Sequence, residues 1–281
     1  MQGFFSETRE SRPWTEPEGT LGQLTRDAHA RAASVADRLG EIIAAARDAR
    51  PALAFADALR GDRIRVIAEV KRASPSKGAI APGLDASSQA RAYVEGGAAA
   101  ISVLTEPSRF GGSLQDLAAV TAAVDIPVIR KDFLVHPVQL WEARAAGASA
   151  ALLIVRALSP SLLPLLVDTA REAGLEPLVE IRDVAELERA LSAGARVIGV
   201  NNRNLETLVI DPATAPQVIP HIPAHCIAVA ESGMQVTADV ETSRQAGADA
   251  ILVGSAISAA PDPADRVRAF AAIPRHPRAR T

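Results

Sequence analysis

Cysteine occurs once in this chain of 281 residues, at Cys226, which excludes an intrachain disulfide framework and any cysteine-rich zinc site. Its apolar setting, HCIAVA, leads us to expect a buried thiol, compatible with a reducing cytoplasm, the compartment we expect. Long apolar runs are missing as well. The most apolar stretches, such as ALLIV at 151–155, fall far short of the roughly 20 residues that span a bilayer, so no membrane association is expected. The opening MQGFFSETRESRPW turns polar after two Phe residues and lacks the apolar region of a secretion signal; no export is expected. Neither sign of charge dominates: 30 Lys and Arg stand against 33 Asp and Glu, for a net charge of −3. That balance offers no general attraction for a phosphate backbone, so nucleic acid is not an expected partner. His29, His136, His221, His225 and His276 have no paired ligand spacing and read as surface or structural residues, so no metal site is expected. No G-x-G-x-x-G fingerprint occurs, and no cofactor is expected.

What is present is a repeat. GGAAAISVLT, AGASAALLIV, AGARVIGVNN and AGADAILVG each join a helix ending in Gly-Ala to a buried strand, with glycines at 97, 147, 194 and 247. Spacings of 50, 47 and 53 residues leave room for two βα units per period. The intervening runs RIRVIAEVK, IPVIRKDF, EPLVEI and AHCIAVAES supply the other strands. Eight short runs rich in Val, Ile and Leu, separated by helical segments, indicate a parallel sheet with both faces covered. Closure into a single (βα)₈ barrel, the TIM barrel, accommodates eight such units. An open doubly wound sheet would need a reversal of strand order that nothing in the repeat suggests.

Residues 1–60 read as a helical extension packed on the barrel, residues 61–273 as the barrel and 274–281 as a frayed tail. Within the extension, Thr20 and Gln23 have capping-box spacing, and Leu24, Ala28, Val35, Leu39, Ile42 and Ala46 recur at helical intervals. Pro51 should end that helix, and ALAFADALR should form a second one.

Enzymes on this fold carry their reactive groups at the C-terminal ends of the strands. Here those ends hold Glu69 and Lys71, Thr105 and Glu106, Lys131 and Asp132, Arg156, Glu180, Asn201 and Arg203, Glu231 and Ser232, and Gly254 and Ser255. Any strand turns polar where it leaves the core, so one such residue means little. Glu69 and Lys71, however, share an alternation class, and Lys131 and Glu180 leave their strands at the same mouth. Opposite charges gathered there would perturb one another's proton affinities, as acid–base chemistry requires. Glycine follows the last two strands in AESGM and LVGSAI, where backbone N–H groups can close on an anion; Gly233, Gly254 and Ser255 are the expected phosphate contacts.

The segment VIAEVKRASPSKGAIAPGLD closely resembles the signature of the indole-3-glycerol-phosphate synthase family, a Glu-x-Lys strand running into a Ser-Pro-Ser loop. SVLTEPSRFGGS, PVIRKDF, QLWEARAAGA, LVEIRDVAELERAL, IGVNNRNL, AVAESGM and LVGSAI continue the match in order, over roughly residues 60 to 258. The resemblance implies a carboxy-lyase of tryptophan biosynthesis that closes the indole ring. Its substrate is a sugar phosphate with a carboxyphenylamino group, 1-(2-carboxyphenylamino)-1-deoxyribulose 5-phosphate, and it uses neither metal nor organic cofactor. It implies Lys131 as general acid, Lys71 and Glu180 for the dehydration, Glu69 shaping the charge balance, and Asn201, Arg203 and Glu231 orienting substrate. Ser74, Ser232, Gly233, Gly254 and Ser255 fall at the phosphate end, and Leu104, Phe110, Phe133, Leu152 and Leu205 line the aromatic ring. Arg203 and Lys71 could hold the carboxylate. His136 stands where many relatives carry an acidic residue. A monomer is compatible with the sequence.

Three other readings compete. A sugar-phosphate isomerase on a similar barrel would not need the Glu-x-Lys strand together with RKDF. A Schiff-base aldolase would need one desolvated, attacking lysine. A non-catalytic sugar-phosphate-binding barrel would not need the full acid–base set, which is intact here.

Overall fold

The computed structural model describes residues 14–75, 78–79 and 83–276, with Ser74 and Ala79 described through their backbone alone. Eight parallel strands close into one barrel: β1 Arg65–Val70, β2 Ala100–Leu104, β3 Val128–Lys131, β4 Ala150–Ile154, β5 Glu176–Ile181, β6 Val197–Asn201, β7 Ile227–Glu231 and β8 Ala250–Val253. Each pairs with the next, and β8 closes on β1 with Ile67 opposite Leu252. The strands coincide with the eight apolar runs of the sequence. Their near-continuous burial follows from helices covering the outer face while side chains fill the inside.

The Gly-Ala repeat has a backbone cause. Gly97, Gly147, Gly194 and Gly247 have φ of +89°, +86°, +81° and +95°, a region open to glycine at little cost. The alanine after each donates its N–H five residues back, from Ala98 to the Tyr93 carbonyl and from Ala148 to that of Ala143, both at 3.0 Å. This is the Schellman closure, which satisfies carbonyls a helix end leaves free. Those alanines are buried, and the next residue enters the strand: Ala99 N–H donates to the Val66 carbonyl at 2.8 Å.

The extension differs from expectation in three ways. Helix α1 runs Gly19–Val35 and has no capping box: Glu18 precedes it without a side-chain cap, and Gln23 donates to Asp27. One amide of its first turn is satisfied from the barrel instead, Thr20 N–H donating to the Glu206 carbonyl at 3.1 Å. A 3₁₀ turn at Ala36–Arg38 then separates α1 from α2, Leu39–Asp48. The ALAFADALR segment yields only one helical turn, Phe55–Ala58. Leu21, Leu24 and Ala28 of α1 are buried in the core, so this helix is part of the hydrophobic structure.

Cys226 is buried, its Sγ 3.7 Å from the Ala195 carbonyl. A short antiparallel hairpin, Ala73–Ser74 with Gly78–Ala79, follows β1 and was not expected. Of the tail expected to fray from residue 274, Pro274 bridges to Arg63 and Arg275 N–H donates to the Asp62 carbonyl at 2.8 Å. Residues 277–281 lie outside the described set. No described helix is long and apolar enough to cross a membrane.

Candidate active site

At the C-terminal mouth of the barrel lies a cavity of about 540 Å³. Glu69, Lys71, Lys131, Glu180, Asn201 and Glu231 line it, as do Leu104, Phe110, Phe133, Leu152, Arg203, Leu205, Ser232, Gly233, Gly254 and Ser255. The Ser74 side chain lies outside the described residues; its backbone belongs to the hairpin after β1. The reason for the convergence is geometric. Strand exits of a closed parallel barrel point to one end, and residues at the ends of β1, β3, β5, β6 and β7 therefore meet although they are far apart in sequence.

Glu69 is the hub of the charged set. Lys71 Nζ donates to its Oε1, and Lys131 Nζ stands 3.8 Å from its Oε2. Burial works to raise the Glu69 carboxyl, but Lys71, Lys131 and Arg203 outweigh it and hold the group below its usual range. Burial likewise works to lower Lys131, and the carboxylates of Glu69, Glu180 and Glu231 outweigh it, so its ammonium is held above the usual lysine range. A lysine beside other cations would be lowered; here the surrounding carboxylates decide the opposite direction, and Lys131 enters the site as a charged proton donor. Glu231 is pushed well above 4.5, first by burial and then by the neighbouring Glu180. The Glu231 and Glu180 carboxyl groups are buried side by side, and a hydrogen bond between them adds to the upward shift of Glu231.

Two glycines permit this crowding. A Cβ on Gly199 of β6 would overlap Glu231 Oε1 and lie 3.1 Å from its Cδ. A Cβ on Gly254 would overlap Glu69 Oε1 and lie 3.0 Å from Lys71 Nζ. Gly254 therefore serves the acid–base set at close range, a reason for glycine beyond the anion contact expected of it. Ser232 and Gly233 both take positive φ, +63° and +89°, a turn that costs about 1 kcal/mol or more at the serine. Asn202 holds it: its Nδ2 donates to the Ser232 carbonyl at 3.0 Å while its Oδ1 accepts from Ala215 N–H at 2.8 Å.

Asn202 was missed from sequence, although it is the second residue of the Asn-Asn pair that gave Asn201. Thr20 and Leu24 of α1 were missed too, and both line the cavity. Helical periodicity placed Leu24 on an apolar stripe but could not say that the stripe crosses the barrel mouth. Several strand-exit residues serve the frame. Glu106 accepts from the amides of Ser108, Arg109 and Phe110. Asp132 is held by Thr105, by Arg130 at 3.2 Å and by Arg31 of α1 at 2.8 Å. Arg156 turns toward the N-terminal segment, donating to the Thr15 carbonyl at 2.6 Å. His136 caps the helix Pro137–Ala145, its Nδ1 accepting from Val138 N–H at 3.2 Å, the task an acidic residue would perform there.

A closed (βα)₈ barrel with a charged, partly apolar cavity at its C-terminal mouth defines a barrel enzyme for a small-molecule substrate. Residues 23–270 match the family described as indole-3-glycerol phosphate synthase. Indole-3-glycerol phosphate synthase 1 of Streptomyces coelicolor is 53% identical over 239 residues, covering 85% of this chain and 89% of that one. The synthase of Mycobacterium bovis is 48% identical over 265 residues, covering 94% and 97%. Among solved structures, 3-hexulose-6-phosphate synthase from Salmonella typhimurium superposes with a TM-score of 0.61 at 18% identity, covering 74% of this chain and 97% of that one, a likeness of fold alone. The chain belongs to the indole-3-glycerol phosphate synthase family.

Proposed function

We propose that this chain converts 1-(2-carboxyphenylamino)-1-deoxyribulose 5-phosphate into indole-3-glycerol phosphate, carbon dioxide and water, acting in the cytoplasm. The observation that carries the reading is the joining of two lysines to one buried carboxylate, Glu69, with Glu180 and Glu231 in the same cavity. Ring closure requires the ring carbon bearing the carboxylate to attack the ketone carbon of the sugar chain. Lys131, held charged, donates a proton to the ketone oxygen as the new carbon–carbon bond forms, leaving a hydroxyl. The carboxylate then leaves as carbon dioxide, and its bonding electrons neutralise the iminium nitrogen. Dehydration follows: Lys71 gives a proton to the departing hydroxyl while Glu180 takes one from the adjacent carbon, forming the second double bond of the pyrrole.

Phe110, Phe133, Leu104, Leu152 and Leu205 offer an apolar wall to the aromatic ring; the Phe110 and Phe133 rings lie 6.2 Å apart, tilted at 40°. Arg203, with Lys71, matches the carboxylate, and the Ser232–Gly233 turn with Gly254 and Ser255 matches the phosphate. The experiment is direct. Purified chain mixed with this substrate should develop indole fluorescence; a protein that binds the substrate without developing it contradicts the proposal.

A further inference from the structure

The geometry points to Glu206 as a positioning residue that fastens the N-terminal segment to the loop carrying Arg203 and Leu205, and so sets the wall α1 gives the cavity. The inference rests on the function proposed above and adds to it a residue outside the cavity.

Glu206 lies one residue beyond Leu205 and three beyond Arg203. Its side chain is the shared acceptor of two donors from other parts of the molecule. Oε1 accepts from Glu18 N–H at 2.9 Å and from Arg156 Nη2 at 2.7 Å. Its carbonyl accepts a third, Thr20 N–H, at 3.1 Å. Arg156, leaving the barrel just after β4, reinforces the join by donating to the Thr15 carbonyl at 2.6 Å and the Glu16 carbonyl at 3.4 Å. Its own carbonyl accepts from Trp14 Nε1 at 3.3 Å. Residues 14–20 are thus bound to the exits of β4 and β6, the two strands flanking the one that carries Glu180.

The contact is close enough to dictate sequence. Gly19 has φ of +56°, and a Cβ there would overlap the Glu206 carbonyl oxygen. Glycine is needed for both reasons, since an L side chain is strained at that φ and would be driven into the loop backbone. Immediately beyond this join α1 begins, and its residues Thr20 and Leu24 line the cavity. Release of the join would free both walls at once, that of α1 and that of Leu205 and Arg203. The Arg156–Glu206 pair is partly screened, with side-chain exposures of 28% and 26%, so shared hydrogen bonding to Glu206 matters more than the bare charge pair.

The test compares Glu206→Ala, Glu206→Gln and Gly19→Ala with the wild type in the full chain. Removal of the acceptor in Glu206→Ala should raise KM for the carboxyphenylamino substrate about tenfold with a much smaller change in kcat. Inhibition by inorganic phosphate alone should keep its wild-type constant, because the Ser232–Gly233 turn is untouched. Glu206→Gln retains an acceptor oxygen and should restore most of the affinity. Gly19→Ala leaves Glu206 intact, displaces the segment, and should reproduce the rise in KM. Amide hydrogen exchange at Glu18 and Thr20, read without substrate, should quicken in Glu206→Ala and Gly19→Ala alike. Folded variants with KM within twofold of wild type, or unchanged exchange, overturn the inference. A phosphate inhibition constant rising by the same factor as KM would also overturn it, since it would mean general distortion. Should Glu206→Ala not fold, Gly19→Ala and the exchange measurement decide alone. A wild type inactive on this substrate would sink the proposed function, while the exchange result would still stand for or against the join.

Discussion

Replacing Lys131 by Met removes the titrating group at nearly constant size and probes the acid–base set at its most connected point. The ammonium stands 3.8 Å from Glu69 Oε2, and its side chain is only 17% exposed. At an effective dielectric constant of about 20, two unit charges at that distance attract by about 4 kcal/mol, and the cost of burying the lysine offsets much of this. Glu69 keeps Lys71 as its hydrogen-bonded partner in the variant. The loss of stability should therefore fall below the roughly 3–5 kcal/mol of a carboxylate left alone in a protein interior, at about 1–2 kcal/mol. Chemistry should suffer more. Loss of a general acid slows turnover by about 10² or more, equivalent to about 2.7 kcal/mol of barrier, with far less change in KM. Because its neighbours hold the lysine above 10.5, its charge persists up to that pH and is lost only above it. Wild-type kcat should accordingly show no alkaline fall due to Lys131 below about pH 10. Urea unfolding gives the first quantity and steady-state indole fluorescence the others. A folded Lys131→Met enzyme retaining most of its kcat would refute the assignment and leave Lys71 as the acid.

Other perturbations follow from the same geometry. Glu231 has a folded-state affinity for protons above the ordinary 4.5, so its contribution to stability is complete below that value and is lost as pH rises through the folded one. Glu231→Gln should therefore gain stability relative to wild type as pH is raised above 4.5; parallel unfolding curves would contradict the shift. Gly233→Val should raise KM and weaken phosphate inhibition, as its φ of +89° strains the backbone of any L side chain and would shift the turn; an unchanged KM in a folded variant removes the turn from the phosphate site. Turnover should be the same with and without EDTA, since no group of three His, Cys, Asp or Glu able to hold a metal occurs among the described residues; recovery by added divalent ion after its loss would show otherwise.

Much of this was legible in the sequence because the signals were local. The Gly-Ala junctions announced helix ends, and Val-, Ile- and Leu-rich runs announced strands, so the barrel followed from periodicity. The members of the acid–base set lay at strand exits, and a closed parallel barrel can only bring such exits together. The extension was harder. Thr20 and Gln23 have the spacing of a capping box, yet the Thr20 amide in the first turn of α1 pairs with Glu206, almost two hundred residues away, a tertiary contact no local pattern encodes. The direction of the Lys131 shift was equally hidden, because it depends on which of several nearby charges lie nearest. Asn202 acts through a backbone carbonyl on another strand's loop, which spacing cannot reveal.

If the charged mouth of this barrel closes an indole ring with loss of carbon dioxide, both products must appear together. Both can be measured in one sample, indole-3-glycerol phosphate by fluorescence and carbon dioxide by trapping, after the purified chain is mixed with a limiting amount of the carboxyphenylamino substrate. The two should form in equimolar amounts with complete consumption of substrate. Carbon dioxide without indole, or substrate bound and recovered unchanged, would rule out ring closure by this site.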